Sequence, residues 1–368
     1  MNILYLTNHL NVGGITSYVF TLAKGMKERG HNIYIASSGG ELLPKFKQEG
    51  IIFVPLPIKT KSELSPKILI SMYKLSHALK RYRIEIIHSN SRTTQVLACV
   101  LAKYKDFRHV ATCHGFFKRR ISRRIFGTWG EKVIAVSQPV KEHLIRDFGV
   151  QEKNITLIYN GIEVARFNKQ DVEFRTEMRR GLGLADAPVV GIVGRLSDIK
   201  GHIYLIEAMQ EVLKKNPQAR LVIVGEGKMR KRLVSLSRRR GIEKSILFIP
   251  SVKETRDILS IMDVFVMPSL KEGLGLALME AMAAGLAVIG SDIGGIKDLV
   301  RDGVNGLLVE PANVESLASA ISKLLEDSEK RSRLGHQAQI FISQNFTQEK
   351  MIAETEKVYA EYLKNPQP

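Results

Sequence analysis

Two glutamates with seven residues between them, Glu272 and Glu280, lie in the stretch PSLKEGLGLALMEAMAAG (268–285). The apolar run DVFVM (263–267) before it reads as a buried parallel strand, and the residues after it as a glycine turn entering a helix. Gly273 and Gly275 leave backbone N–H groups unhindered where that helix begins. The first N–H groups of a helix lack internal partners, so strand, turn and helix start suit a phosphate or sugar oxygen. Glu280, one to two turns further in, is badly placed for a phosphate and well placed for vicinal hydroxyls such as those of a ribose. Upstream, Arg195 and Lys200 stand in VGRLSDIKG (193–201), framed by Gly194 and Gly201. A bidentate guanidinium beside a compact ammonium suits a diphosphate. Two further elements are less specific: Gly13-Gly14 ahead of the first helix, and His114 in His114-Gly115-Phe116 at the end of a strand. Each pattern alone also fits an ordinary βα unit with solvated charges.

The elements that must hold these residues alternate. Over residues 1–165, apolar strands (Ile3–Leu6, Ile33–Ala36, Ile51–Val54, Ile84–His88, His109–Cys113, Val133–Val136, Ile155–Ile158) are separated by amphipathic stretches such as Tyr18–Arg29, Lys67–Arg81 and Thr94–Lys103. The rhythm breaks in the polar segment 168–184 and restarts with Val189–Val193, Leu221–Val224, Ile246–Ile249, Val264–Met267, Ala287–Ile289 and Gly306–Val309. This predicts an α/β chain of two Rossmann-like, doubly wound domains, 1–165 and 166–345. The tail 346–368 is expected to be a helix packing back towards the first domain. Ligands of such domains bind outside the carboxyl ends of the strands, here in a cleft between the two domains.

Composition bounds the function. Over 368 residues, 44% hydrophobic and 25% charged content describes a globular chain, with no uninterrupted apolar run long enough to span a membrane. The N-terminus reads as a core strand rather than a signal peptide. Cys99 and Cys113, both in apolar segments, are expected to be free thiols in a reducing cytoplasm. The net charge of +18 is uneven: residues 1–168 hold 26 Lys+Arg against 11 Asp+Glu. A half so basic seeks something anionic, whether membrane, polyanionic acceptor or nucleic acid.

Gly13-Gly14, HGF (114–116), VSQPV (136–140), NGIE (160–163), VGRLSDIKG, VGEG (224–227), PSLKEGLGLALMEAMAAG and DGVNGLLV (302–309) occur in this order. Together they resemble the large family of retaining GT-B glycosyltransferases with the E-x7-E motif (family 4-like, group 1), over about residues 1–345. The resemblance implies a sugar transferred from a nucleotide-sugar donor, UDP- or GDP-linked, to a glycan or lipid-linked acceptor in cell-surface polysaccharide or glycolipid synthesis, with no metal or other cofactor. Arg195 and Lys200 would hold the diphosphate and neutralise the leaving group, Glu272 would contact the donor sugar, and Glu280 the ribose. Amides around Gly273, Leu274, Gly275 and Leu276 would meet sugar hydroxyls and phosphate, with Gly13, Gly14 and Gly194 admitting the ligand. His114 would stand by the reaction centre, and Val252, in Pro250–Val252, by the nucleobase. The chain departs from the commoner pattern at Leu274, where Phe is usual, at Glu163, where Asp is usual, and at Ile15-Thr16-Ser17, where acidic or aromatic residues are frequent.

The basic half faces the acceptor side in this family. Lys118, Arg119, Arg120, Arg123 and Arg124, interleaved with Phe117, Ile121, Ile125 and Phe126, read as an interfacial helix on an anionic membrane. The segment Lys59–Arg83 is a second candidate. A peripheral position on the cytoplasmic membrane face is expected, with nucleic acid no partner, since no reading motif accompanies the charge. The alternatives are a nucleotide-sugar epimerase of the same architecture, or a non-catalytic basic protein bound to membrane or nucleic acid.

Overall fold

The computed structural model describes residues 1–60, 66–104, 106–118, 127–167 and 172–364. They form two compact units: Met1–Gly161 with Gln348–Pro368, and Ile162–Thr347.

The first unit is built on a seven-stranded sheet of order β3-β2-β1-β4-β5-β6-β7. Its strands are β1 (Asn2–Leu6), β2 (Asn32–Ser37), β3 (Ile52–Pro55), β4 (Ile86–Ser89), β5 (Arg108–Cys113), β6 (Lys132–Ala135) and β7 (Ile155–Leu157). Every pairing is parallel; Leu4, for instance, faces Tyr34 on one side and Ile87 on the other. Alternate residues of β1 divide between two cores. Ile3 and Tyr5 pack with Leu22, Met26 and Phe46, whereas Leu4 and Leu6 pack with Ile68, Leu75, Leu97 and Leu101. That division is why β1 reads as an unbroken apolar run: both faces of the sheet are covered by helices.

The helix Gln348–Lys364 completes the first core with Met351, Ile352, Val358, Tyr359 and Tyr362. It lies so close to the helix Gly14–Glu28 that a Cβ on Gly25 would stand 2.1 Å from Ile352 Cδ1. A side chain there would have to displace that of Ile352.

The second unit carries a six-stranded sheet of order β10-β9-β8-β11-β12-β13, again all parallel. Its strands are β8 (Val189–Val193), β9 (Arg220–Val224), β10 (Ile246–Ile249), β11 (Val264–Met267), β12 (Ala287–Ser291) and β13 (Leu307–Val309). Its core joins Val190, Ile192, Leu221 and Ile289 to Leu205, Met209, Leu317 and Ile321 of the helices His202–Lys215 and Val314–Glu326.

Both orders follow the 3-2-1-4-5-6 scheme, in which the chain reverses its direction of progress between the first and fourth strands. The two switch points therefore lie at the carboxyl ends of β1 and β4, and of β8 and β11. Among the described residues, no helix is long and apolar enough to cross a membrane.

Candidate active site

In the second unit the switch point is a tight lacing of loops. After β8 the chain runs through Gly194–Ser197 into a 3-10 turn, Asp198–Lys200. Gly194 N–H donates to Val224 O (2.9 Å) and Leu196 N–H to Glu226 O (2.9 Å), so the VGEG turn clamps this loop from one side. Gly225 and Gly227 have positive φ, and a Cβ on either would meet the carbonyl oxygen of Gly194 or Leu196 at 2.1 or 2.2 Å. On the other side Leu270 N–H donates to Ile199 O (2.8 Å). Gly201, at φ +71°, has the Pro268 carbonyl where a side chain would be.

This lacing brings Lys200 into a direct ion pair with Glu272, a residue of the loop after β11. Ser269 Oγ also donates to Glu272 (3.4 Å). Both charged side chains are mostly shielded from water. Arg195, on the same loop as Lys200, is exposed and forms no ion pair among the described residues. The turn Gly273–Gly275 enters the helix Leu276–Ala283 through Gly275, which is left-handed at φ +106°. Gly295, in the loop after β12, seats this turn: its N–H donates to Glu272 O (3.2 Å), and a Cβ there would stand 2.0 Å from Gly273 O. By contrast, a Cβ on Gly13, Gly14 or Gly194 would meet nothing within 4 Å.

Glu280 points to another loop. Its Oε2 accepts from Thr255 Oγ1 (2.9 Å), beside the segment after β10 that contains Val252. Arg166, itself ion-paired with Glu254, adds a favourable charge. Burial outweighs both and pushes the Glu280 carboxyl up to about 7.

In the first unit, His114 follows β5. Asn90 Nδ2 donates to His88 O (3.1 Å), which orients its amide so that Oδ1 accepts from His114 Nε2 (3.0 Å). His114 is thus the Nε2–H tautomer, with Nδ1 left as an acceptor. The edge of Tyr18 packs on its ring at 4.7 Å between centroids. Behind these lies a buried network: Tyr18 Oη and His88 Nε2 both reach Thr112 Oγ1 (3.2 and 2.6 Å), and His88 Nδ1 pairs with the Tyr359 hydroxyl. Tyr359 belongs to the C-terminal helix, so 271 residues separate the partners of that last bond.

Burial depresses the histidines of this region. His114 and His109 are pushed down to about 3, and His88 falls well below its ordinary value. A base whose folded pKa is depressed contributes stability that is complete above its unfolded value, near 6.5, and is lost as pH falls towards the folded one. Three such groups make the first unit acid-labile. Far-UV circular dichroism should show unfolding setting in between about pH 5 and 4. His88→Gln combined with His109→Gln should move the onset to lower pH; an onset unmoved by these changes contradicts the assignment.

Of the expected site residues, the structure joins Lys200 to Glu272 and puts Gly194, Arg195, Gly273, Leu274, Gly275 and Leu276 on the same two laced loops. Glu280 lies with Thr255, three residues after Val252 in the chain. Gly13, Gly14 and His114 belong to the first unit. Lys118 is exposed at the end of a described stretch; Arg119, Arg120, Arg123 and Arg124 lie outside the described residues. Sequence reasoning missed Ser269, Thr255, Arg166 and Asn90, which hold or bias the named side chains. Their types are common, and only the fold brings them near. Gly295 was missed too, because its role depends on the turn at Gly273, 22 residues before it.

Residues 174–341 match the family model described as glycosyl transferases group 1, and residues 12–166 match that of glycosyltransferase family 4. The chain is similar to the UDP-Gal:alpha-D-GlcNAc-diphosphoundecaprenol alpha-1,3-galactosyltransferase of Escherichia coli, at 31% identity over 75% of this chain and 74% of that one. An uncharacterized glycosyltransferase of Methanocaldococcus jannaschii is 28% identical over 95% and 94% of the two chains. Among solved structures, Anabaena HepE in complex with UDP-glucose superposes with a TM-score of 0.88 at 24% identity, covering 98% of this chain and all of its own.

Proposed function

The chain belongs to the group 1, family 4 glycosyltransferases, and from that premise we propose that it transfers a sugar, with retention, from a uridine diphosphate donor to a glycan or lipid-linked acceptor. The Lys200–Glu272 pair at the switch point of the second sheet carries this reading. When the sugar–phosphate bond breaks, negative charge grows on the diphosphate. Lys200 and Arg195, on a loop held from both sides, are fixed cations for that charge and need no reorganisation at the moment of reaction. As Lys200 turns to the diphosphate, Glu272 is released to accept from sugar hydroxyls. The pair thus holds two binding groups ready until the donor supplies a better partner for each.

The amides opening the helix Leu276–Ala283 take the remaining oxygens, Glu280 takes the ribose diol, and the backbone near Val252 takes the base. Gly194 lacks any packing or dihedral requirement for glycine, which accords with close ligand approach; Gly13 and Gly14 share that freedom. His114, neutral at physiological pH, offers Nδ1 as an acceptor for a sugar hydroxyl.

With Glu272 engaged by hydroxyls, no carboxylate is assigned as a nucleophile, so retention is read as a same-face exchange. The anomeric C–O bond to phosphate breaks, the acceptor oxygen bonds to that carbon from the same side, and its proton passes to the departing phosphate oxygen. The reaction needs no metal in this reading, because Arg195 and Lys200 supply the positive charge. The names of the relatives favour UDP-sugars and an undecaprenyl-diphosphate-linked acceptor, and with them cell-surface polysaccharide or glycolipid synthesis.

The test is a thermal-shift and hydrolysis screen against UDP-, GDP- and ADP-sugars in the presence of a chelator. A UDP-sugar is expected to raise the melting temperature and to lose its sugar slowly without acceptor. No response to any donor overturns the proposal.

A further inference from the structure

The loop that carries His114 is held at both ends. At its start His114 Nε2–H donates to Asn90 Oδ1 (3.0 Å), and Cys113 Sγ donates to Gly115 O (3.2 Å). At its far end Phe117 N–H donates to His143 Nε2 (3.0 Å). His143 belongs to the helix Gln138–Phe148, which follows β6. Because β5 and β6 are neighbours in the sheet, the loop after one passes beside the helix after the other. That helix is firmly seated: Ser137 Oγ caps it by accepting from Val140 N–H (3.3 Å), and Val140 and Leu144 are fully buried. A ring nitrogen that accepts carries no proton, so the proton of His143 is on Nδ1, where it donates to Asp147 Oδ2 one turn further along. The other oxygen of Asp147 faces Arg146 Nε at 3.5 Å. Phe116 and Phe148 meet the His143 ring edge-on, at 5.2 and 5.1 Å between centroids, and Trp129 bridges Phe148 to Phe117.

A buried carboxylate is a costly way to seat an aromatic ring. The side chains of His143 and Asp147 are only 6% and 7% exposed, and a phenylalanine at 143 would fill similar space with no polar group to desolvate. What phenylalanine lacks is an acceptor of one fixed tautomer aimed at a main-chain N–H. We propose that His143 and Asp147 are a positioning pair for the reaction centre. Asp147 keeps the proton on Nδ1, Nε2 pins Phe117, and the short span from Phe117 back to the Asn90 contact holds His114 in place. A carboxylate that orients the histidine of a catalytic triad works in the same way, with a peptide N–H here standing where the nucleophile would be. Neither residue touches the substrate; both act through the loop. The effect on turnover rests on the role given to His114 above, whereas the anchoring of the loop does not.

The first test is the tautomer, read by nitrogen NMR of the full chain labelled at histidine. His143 is expected as the Nδ1–H form at neutral pH; the Nε2–H form or the imidazolium overturns the proposal, and no variant is needed. Two variants then separate anchoring from packing. His143→Phe keeps an aromatic ring and removes the acceptor, whereas His143→Gln returns an oxygen near the place of Nε2. Hydrogen exchange at the Phe117 amide should quicken at least about tenfold in His143→Phe and stay within about threefold of the wild type in His143→Gln. Hydrolysis of the UDP-sugar donor should fall about 10–100-fold in turnover in His143→Phe, with donor affinity unchanged, and recover in His143→Gln. Wild-type turnover by His143→Phe overturns the proposal, as does weakened donor affinity with unchanged turnover. So does an unaltered Phe117 amide in His143→Phe, or an equal loss in both variants that follows their melting temperatures. Where the wild type cleaves no donor, a Phe117 amide protected in the wild type and His143→Gln but not in His143→Phe leaves the anchoring standing and removes only the proposed activity.

Discussion

Lys200→Ala lowers turnover of the preferred donor by about 10²–10³-fold, and Arg195→Ala by a comparable factor, while both proteins remain folded. The magnitude is that of removing one preorganised donor from developing charge, about 3–4 kcal/mol of transition-state stabilisation. The structure separates this loss from a loss of stability. Among the described residues the Lys200 ammonium pairs only with Glu272, with side-chain exposures of 22% and 13%. Removing the ammonium leaves Glu272 with Ser269 and solvent, at a cost of about 1–3 kcal/mol, or several degrees of melting temperature. The loop keeps its shape, because backbone bonds from Leu196 to Glu226 and from Leu270 to Ile199 hold it. Arg195 has no partner to lose among the described residues, so its variant should melt with the wild type. Single-turnover kinetics at saturating donor make the comparison. A folded Lys200→Ala variant with wild-type turnover removes the diphosphate role in catalysis, and weakened donor affinity with that unchanged turnover would point to ground-state binding.

The inner strands of both sheets were legible because their residues are buried on both faces, leaving unbroken apolar runs such as Ile3–Leu6 and Val264–Met267. The sheet orders were legible only as a class. Pairing β1 with both β2 and β4 is a long-range choice that no local pattern encodes. The site was legible by residue type and spacing, but as separate contacts: Lys200 as a phosphate ligand, Glu272 as a sugar ligand. Their ion pair joins residues 72 apart, and it exists because Gly201 lets the β8 loop press on the carbonyl of Pro268. The VGEG turn carried no chemistry in the sequence, and its structural task is equally invisible there, since Gly225 and Gly227 matter only for what lies against them. His114 shows the same limit from the other side. Its tautomer follows from Asn90 and its neutrality from burial, and neither can be read from the HGF triplet. The concentration of basic residues in the first half was plain from counting.

Nucleotide affinity rises with pH between about 6 and 8 in the wild type, and Glu280→Gln abolishes that slope and weakens binding about 10–100-fold at pH 8. The argument starts from the carboxyl itself. It ionises near 4.3 in an unfolded chain and near 7 in the fold, raised by burial against the opposing Thr255 hydroxyl and Arg166 charge. A raised folded value means that the group's contribution to stability is complete below about pH 4.3 and is lost as pH climbs through 7. Ionised Glu280 then costs the fold about 4 kcal/mol. A ribose diol reverses the preference, because two hydroxyls donating to a carboxylate favour its charged form. Binding at pH 7 therefore releases about half a proton per site, measurable as a buffer-dependent enthalpy in calorimetry. Glu280→Gln keeps an oxygen for Thr255 and gives up the charge. It should melt with the wild type at pH 5, melt above it at pH 8, bind nucleotide weakly at both, and release no proton. A variant that gains stability at pH 8 but binds nucleotide as before would place Glu280 among the buried groups of the fold and leave the ribose without its proposed partner.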